Sequence, residues 1–239
     1  MQLFNLPNLL TLINLFSGCL AVVFAFSYHI DWVPYCVLVS LVADFFDGFA
    51  ARFIKTNSDL GKQLDSLADV VSFGLVPGLI VFWMLNNSLR ADIHSFSDNE
   101  ILLASAPAFL LTLFAALRLA KFNIDTRQTD GFIGLATPAS TMFVTGILLM
   151  VLQNSFGFAS LLYNKFLLYS IILFLSYLMV AELPMFSFKF KSYNWAGNEW
   201  RYLFIILSLI LLVALKFAAV SLIVILYIIL SVTLKIINK

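Results

Sequence analysis

Four aspartates in two closely spaced pairs are the residues of this sequence best suited to chemistry. Asp44 and Asp47 are three residues apart, and Asp65 and Asp69 are four apart. In helices each pair projects from one face, so two neighbouring antiparallel helices would bring all four carboxylates together. Carboxylates that close repel one another unless a cation lies between them. Magnesium, manganese and calcium prefer oxygen ligands, so the sequence predicts a hard divalent ion rather than zinc.

Two further residues share the face of the first pair. Gly48 lies one helical turn after Asp44, and Arg52 lies one turn after Gly48. A glycine lets a bulky group approach the backbone closely, and an arginine where a helix reaches water suits a phosphate. Taken singly, Gly48 is better explained by helix packing and Arg52 by a side chain that snorkels to the interface. Together with four aspartates at helical spacing, the two residues favour a site for a phosphate-bearing ligand.

The elements that position these residues must be membrane helices. Of the 239 residues, 62% are hydrophobic and only 11% are charged, whereas soluble domains are about half apolar and about a quarter charged. The apolar runs are long and lack the alternation typical of strands, which favours helices over a closed barrel. The predicted fold is therefore all-α, a single polytopic membrane helical bundle over residues 1–239.

Eight apolar segments can be marked, most of them near the ~20 residues that a helix needs to cross a bilayer. They cover residues 9–26, 32–53, 67–85, 101–120, 132–152, 160–180, 202–217 and 219–237. Only Lys216 clearly separates the last two, which fit either a tight hairpin or one bent helix. With the N-terminus in the cytoplasm, eleven of the fourteen basic residues fall on the cytoplasmic side, which agrees with the positive-inside rule. About eight transmembrane helices with both termini in the cytoplasm are predicted.

The spacing of the acidic stretch resembles the signature of a known family. The pattern Asp44-x2-Asp47-Gly48-x2-Ala51-Arg52-x8-Gly61-x3-Asp65-x3-Asp69 matches that of the CDP-alcohol phosphatidyltransferases without a departure. Eight identities are fixed over 26 positions, which makes chance agreement negligible. The resemblance implies a helical membrane bundle, usually a homodimer, in a prokaryotic inner membrane. It also implies two magnesium or manganese ions in a cavity that faces the cytoplasm.

The resemblance also implies roles for individual residues. The expected ligands of the two ions are Asp44, Asp47, Asp65 and Asp69. Asp69 is in addition the expected base. Gly48 and Arg52 would contact the pyrophosphate and cytidine end of a CDP-linked lipid, and Ser58 falls where the family often has a hydroxyl near the nucleotide.

Stretches outside the signature resemble one branch of the family, the bacterial and archaeal phosphatidylserine synthases. These stretches are residues 6–15, 118–123 and 132–138. That branch more often has proline where Ala136 stands and arginine where Lys121 stands, which leaves a cation in place. The resemblance covers about the first two thirds of the chain. It implies that CDP-diacylglycerol and L-serine are the substrates and that nucleic acid is not a partner.

Serine recognition calls for a cation to bind the carboxylate of the substrate. Arg118 and Lys121 are three residues apart at the cytoplasmic end of the fourth apolar segment, and Asn123 follows them. On spacing alone they are equally well explained as positive-inside anchors. The resemblance to the serine-specific branch favours an acceptor site.

Three polar residues, Asn8, Thr11 and Asn14, occupy one face of the first apolar segment. They either line the donor site or cap and pack the helix, and the donor role is favoured.

Two alternative functions also fit the chain as a whole. One is the same chemistry on glycerol 3-phosphate or inositol phosphate, which would require more cations at the cavity. The other is ion or metal transport, since intramembrane carboxylates also mark ion pathways.

Overall fold

The computed structural model describes residues 4–54, 58–92, 97–125, 132–186, 194–195 and 198–237. Across these residues the chain is almost entirely helical, which confirms the all-α class. The α-helices are α1 (Leu6–Phe26), α2 (Val33–Ile54), α3 (Asp59–Asp69), α4 (Val76–Asp92), α5 (Asp98–Ser105), α6 (Leu110–Ile124), α7 (Thr137–Leu152), α8 (Ala159–Leu162), α9 (Lys165–Val180), α10 (Glu199–Leu215) and α11 (Ala219–Ile237). Two short strands, β1 (Phe132–Ile133) and β2 (Pro184–Met185), pair antiparallel.

Each of the eight apolar segments lies largely in helix. Within the described residues, four runs of helical residues are long and apolar enough to cross a membrane: Leu6–Phe26, Asp59–Ala91, Asp98–Ile124 and Glu199–Ile237. The last of these runs is divided at Lys216 into α10 and α11. The helices α7 and α9 are apolar but shorter. The eight-span count and the side of the termini stay predictions. Five of the basic residues assigned to the cytoplasmic side lie outside the described ranges: Lys55, Arg127, Lys189, Lys191 and Lys239.

Helix α1 is the element around which the site is assembled, because it packs against both α2 and α3. Its inward face is polar and its outward face is apolar, the reverse of a soluble helix. The exposed side includes Ile13 and Phe16, as expected for contact with lipid. On the inner side, the hydroxyl of Ser17 donates to the carbonyl of Cys36 at 2.9 Å, and Ser40 donates to the carbonyl of Asn14 at 3.1 Å. These bonds fix α1 against α2.

A π-helical segment, Val70–Leu75, joins α3 to α4 directly after Asp69. The wider π turn disturbs the regular pattern of backbone hydrogen bonds, and such turns are frequent at functional sites. Hydroxyl groups from two other helices bind its carbonyls: Thr112 donates to Gly74 at 3.0 Å and Thr141 donates to Phe73 at 3.1 Å. The backbone that carries Asp69 is thereby held by α6 and α7 together.

The last two apolar segments form a hairpin rather than one bent helix. Lys216 has a positive φ of 49°, which ends α10. The rings of Phe204 on α10 and Tyr227 on α11 then lie 6.1 Å apart, so the two helices run back along each other. Helix α11 also approaches α7 closely, since Ser221 donates to the carbonyl of Phe143 at 2.7 Å.

The start of the fifth apolar segment is not helical, contrary to the single continuous run predicted from residue 132. Phe132 and Ile133 pair with Met185 and Pro184, and α7 begins only at Thr137. Gly134 explains the break, because its φ is 77° and an added Cβ would lie 3.1 Å from the carbonyl oxygen of Ala181. Helix α7 therefore starts only after this left-handed residue.

Candidate active site

Three of the four predicted aspartates converge in the structure. Asp44 and Asp47 project from α2 and Asp65 projects from α3, and one carboxylate oxygen from each lies within 4.8 Å of the others. Asp47 is buried, while Asp44 and Asp65 are half-buried. The Oδ1 atom of Asp65 is buried and has no hydrogen-bond partner among the described residues. A buried carboxylate oxygen without a donor suits a cation.

The fourth aspartate, Asp69, lies deeper and is 6% exposed. It does not belong to the three-carboxylate cluster, but Asp44 and Asp65 are close enough to act on it electrostatically. Its Oδ1 accepts a hydrogen bond from Nδ2 of Asn14 at 3.1 Å. The side chain is therefore held beside the cluster, with its second oxygen available for another role.

The polar stripe of α1, formed by Asn8, Thr11 and Asn14, packs against the neighbouring helices and reaches the cavity beside the aspartates. Thr11 donates to Oδ2 of Asp47 at 2.6 Å, and Asn14 donates to Asp69. Asn8 and Thr11 also line the cavity beside the cluster. All three residues of the stripe are at most 3% exposed. The stripe thus packs against α2 and α3 and orients two of the four carboxylates.

A cavity of about 390 Å³ opens beside the aspartates, between α1, α2 and the beginning of α3. It is lined by Pro7, Asn8, Thr11, Asp47, Gly48, Ala51, Ser58, Asp59, Gly61, Lys62 and Asp65. A Cβ added to Gly48 would meet nothing within 4 Å, so this glycine faces open space, as a close backbone approach requires. Ser58 caps α3 by accepting a hydrogen bond from the backbone N–H of Gly61 at 3.0 Å. The positive end of the helix dipole therefore lies at the cavity wall.

Two cations lie near this cavity, one predicted from the sequence and one not. Arg52 is exposed, is not among the lining residues, and donates from Nε to the carbonyl of Gly48 at 2.9 Å. Lys62, which the sequence reasoning missed, lines the cavity and donates from Nζ to the carbonyl of Asn123 at 2.7 Å. The sequence did indicate this position, because Lys62 is three residues before Asp65 and so lies on the same face of the helix.

The three predicted acceptor residues are placed differently from one another. Arg118 is 7% exposed, and Asp69 and Asp44 are the carboxylates that act on it most strongly. Lys121 lies 3.5 Å from Glu182 and is exposed. Asn123 donates to the hydroxyl of Ser66 at 2.8 Å, which ties α6 to α3. The structure therefore brings Arg118 to the aspartates but directs the other two side chains elsewhere.

The charges of the site explain what it can hold. Four carboxylates lie in an apolar bundle, and an unpaired charge at such depth costs about 3 kcal/mol or more. Arg118 is the buried arginine or lysine among the described residues, and it offsets only part of this charge. The oxygen-only donor set and the free Oδ1 of Asp65 fit a hard divalent cation. An anionic ligand in the adjoining cavity would face these ions, Lys62 and the start of α3.

Comparison with known proteins agrees with this chemistry. Residues 4–181 match the sequence model of the CDP-alcohol phosphatidyltransferases. The chain is 34% identical to the CDP-diacylglycerol–serine O-phosphatidyltransferase of Helicobacter pylori over 194 residues, covering 80% of this chain and 76% of that one. It is 30% identical to the Bacillus subtilis protein of the same name, covering 82% and 98%. For the Methanocaldococcus jannaschii protein of that name the identity is 32%, covering 82% and 81%.

Proposed function

Because the chain belongs to the CDP-alcohol phosphatidyltransferase family, we propose that it transfers the phosphatidyl group of CDP-diacylglycerol to the hydroxyl of L-serine. The products are phosphatidylserine and CMP. The enzyme is an integral membrane transferase of phospholipid biosynthesis. The observation that carries the proposal is the convergence of Asp44, Asp47 and Asp65 within 4.8 Å beside a polar cavity. The serine-specific relatives support the choice of acceptor.

The cavity is the proposed site of the CDP end of the donor. Asn8 and Ser58 offer hydrogen-bonding groups at its wall, and Gly48 leaves room for the pyrophosphate to approach α2. Lys62 supplies a cation from the first turn of α3. Arg52 lies just outside, and release of its bond to the Gly48 carbonyl would let it reach a bound phosphate.

Asp44, Asp47 and Asp65 would hold magnesium or manganese, with Asp69 completing a second ion site. When bound, such ions neutralise the charge of the pyrophosphate and make its phosphorus easier to attack. The protein contributes the orientation of the ligands. The hydroxyl of Thr11 fixes Asp47 and the amide of Asn14 fixes Asp69, and such supporting bonds commonly change metal affinity or activity by about 10- to 100-fold.

The reaction itself is a displacement at phosphorus. The serine oxygen forms a bond to the lipid-side phosphorus as the bond to the CMP oxygen breaks, and CMP leaves with that electron pair. Asp69 accepts the proton of the serine hydroxyl, because an alcohol is a poor nucleophile at neutral pH. Arg118 binds the carboxylate of serine, with its buried Nε free to donate. Lys121 and Asn123 lie farther out and would shape the entrance for serine.

The surroundings of the site support serine over a phosphorylated acceptor. Glycerol 3-phosphate or inositol phosphate would bring about two further negative charges toward four carboxylates. Of the described arginines and lysines, Arg118 is the buried one near the aspartates. One guanidinium balances the single charge of a carboxylate but only one of the two charges of a phosphate dianion.

We infer the assembly and the membrane location from the resemblance to the same family. We expect a homodimer in a prokaryotic inner membrane, with the cavity open to the cytoplasm. Arg52 and Lys62 lie beside the cavity, and cytoplasmic loops are rich in such residues.

An acceptor screen tests the proposal. Purified protein in lipid vesicles receives CDP-diacylglycerol, manganese or magnesium, and one of L-serine, glycerol 3-phosphate or inositol phosphate, and CMP release is followed. We expect release with L-serine alone. Release with glycerol 3-phosphate alone would support phosphatidyl transfer but show that serine is not the acceptor. No release with any alcohol would contradict the proposed function.

A further inference from the structure

Lys62 lines the donor cavity, yet its ammonium is bonded to the end of another helix. Its Nζ donates to the carbonyl of Asn123 at 2.7 Å. Asn123 lies in the last turn of α6, which ends at Ile124, and the last four carbonyls of a helix have no partner within that helix. This end of the helix dipole is negative and attracts a cation. Lys62 therefore caps α6 and joins it to α3.

Ser66, one turn after Lys62 on α3, supports this bond from both sides. Its hydroxyl accepts a hydrogen bond from Nδ2 of Asn123 at 2.8 Å and donates to the carbonyl of Lys62 at 3.2 Å. The side chain and the backbone carbonyl of Asn123 thus both bind α3. The three residues form a closed network of hydrogen bonds where α3 meets α6, called here the Lys62–Ser66–Asn123 network.

The network acts locally, because other contacts hold the rest of α6. Thr112, near the start of this helix, donates to the carbonyl of Gly74 at 3.0 Å. Leu119, one turn before Asn123, is buried in the bundle. Loss of the Ser66 hydroxyl should therefore release the lysine ammonium without displacing the helix.

Lys62 forms no ion pair with a carboxylate of the described residues, although two carboxylates lie on its helical face. Asp59 is three residues before it and Asp65 is three residues after it, a spacing at which opposite charges on a helix ordinarily attract. The Oδ1 atom of Asp65 is nevertheless buried without a hydrogen-bond partner. The bond to Asn123 holds the ammonium at α6 instead.

We propose that Ser66 and Asn123 are positioning residues that hold the Lys62 ammonium at the end of α6, which leaves Asp65 to a divalent ion and the charge of Lys62 to the anionic donor. An ammonium has three N–H donors, and the Asn123 carbonyl uses one of them. The inference rests on the proposed function, because it takes the aspartates to hold metal and the cavity to receive a pyrophosphate. Without the network, Lys62 would pair with Asp65 and compete with the ion.

Mn²⁺ binding in the absence of both substrates tests the network directly. In Ser66→Ala the released lysine competes for Asp65, so we expect the Kd for Mn²⁺ to rise about three- to five-fold, the size of a partly exposed ion pair. Lys62→Ala alone should not weaken Mn²⁺ binding. The double variant should regain the wild-type affinity, because no ammonium is left to compete. The measurement is the free ion, followed by electron paramagnetic resonance during titration of the purified protein.

Three further variants separate positioning from a loss of packing. Ser170→Ala is the matched control, because Ser170 also donates to a carbonyl four residues earlier, that of Phe166 at 2.8 Å, but lies on α9 and does not line the cavity. Its Mn²⁺ affinity should equal that of the wild type. Ser66→Thr keeps a hydroxyl and should also bind Mn²⁺ like the wild type. Asn123→Ala breaks the network from α6 and should match Ser66→Ala.

The KM for the donor gives a second readout, taken at saturating Mn²⁺. In Ser66→Ala the KM for CDP-diacylglycerol should rise about three- to five-fold, the size of one neutral hydrogen bond, while kcat and the KM for serine stay within about two-fold. In a Lys62→Ala background this effect of Ser66→Ala should disappear. Equal rises in the KM for both substrates would mean a general disturbance of the site and would overturn the proposal.

An unchanged Kd for Mn²⁺ in Ser66→Ala would overturn the proposal, as would a double variant that still binds Mn²⁺ weakly or an equal loss in Ser170→Ala. The proposed function is tested separately, by CMP release from the wild type with L-serine. A wild type that releases CMP while Ser66→Ala binds Mn²⁺ normally would sink only the positioning role. If Ser66 controls the Mn²⁺ affinity of a protein that releases no CMP, only the proposed function fails.

Discussion

The donor side and the acceptor side of this site are built in different ways. On the donor side, α1, α2 and α3 supply the aspartates, their supporting hydroxyl and amide groups, and the whole cavity lining, all within residues 7–69. On the proposed acceptor side, Arg118 and Lys121 come from α6, and Lys121 pairs with Glu182, which follows α9. The proposed metal and donor chemistry is thus encoded locally, while the proposed acceptor contacts depend on how distant parts of the chain pack.

Removing the divalent ions should give the largest effect and test the donor side as a whole. We expect chelation with EDTA to abolish CMP release and added manganese or magnesium to restore it, because the carboxylates would otherwise repel the pyrophosphate. Asp44→Asn should likewise lower kcat/KM by at least about a thousand-fold. The measurement is CMP release from CDP-diacylglycerol and serine. Activity that survives exhaustive chelation would contradict the metal role.

Asp69→Asn should come next, and it separates binding from transfer. The amide keeps the shape of the side chain but cannot accept the serine proton, so kcat should fall by about 10²- to 10⁴-fold. Binding of CDP-diacylglycerol, followed by calorimetry, should stay substantially intact. Retained turnover would remove Asp69 from the mechanism.

Arg118→Ala should change the KM for serine much more than the KM for CDP-diacylglycerol, which distinguishes the acceptor side from the donor side. Loss of a buried charged hydrogen-bond donor should raise the KM for serine by about 10- to 150-fold. The KM for CDP-diacylglycerol should change far less, because Arg118 is not among the residues that line the donor cavity. Lys121→Ala is the matched control, since Lys121 pairs with the exposed Glu182 and should shift the serine KM much less. Equal effects of Arg118→Ala on both substrates would rule out an acceptor role.

The smallest expected effects are those of replacing the two cations near the donor cavity, Lys62 and Arg52. Lys62→Ala should raise the KM for CDP-diacylglycerol by about ten-fold, because Lys62 lines the cavity. Arg52→Ala should do so by less, since Arg52 is exposed and bonded to its own helix. The serine KM should stay unchanged in both variants. A larger effect of Arg52→Ala would mean that Arg52 moves into the cavity when the donor binds.

Much of the donor side could be predicted from the sequence because its signals are local. Helical periodicity placed Asp44 and Asp47 on one face and put Asn8, Thr11 and Asn14 on another, and the structure brings these faces together. Periodicity could not show that Arg52 bonds back to Gly48 while Lys62 faces the cavity. That choice depends on side-chain rotamers at a helix end, where several conformations have similar energy.

The acceptor side was less predictable because it depends on tertiary contacts. Arg118 and Lys121 are equivalent in the sequence as basic residues at a helix end, yet one is buried beside Asp69 and the other pairs with Glu182. The hydropathy of the last two segments fitted one bent helix as well as a tight hairpin, and only the backbone at Lys216 and the contact between Phe204 and Tyr227 select the hairpin. The break before α7 was equally hidden, since it depends on the left-handed backbone of Gly134.

The central claim is that Asp44, Asp47 and Asp65 share divalent ions at the wall of the donor cavity. It is tested most directly by titrating the purified protein with Mn²⁺ and following the free ion by electron paramagnetic resonance, in wild type and Asp65→Asn. Tight binding of about two ions in the wild type, strengthened by CDP-diacylglycerol and reduced in the variant, is the predicted result. Identical Mn²⁺ binding in the two proteins would contradict it.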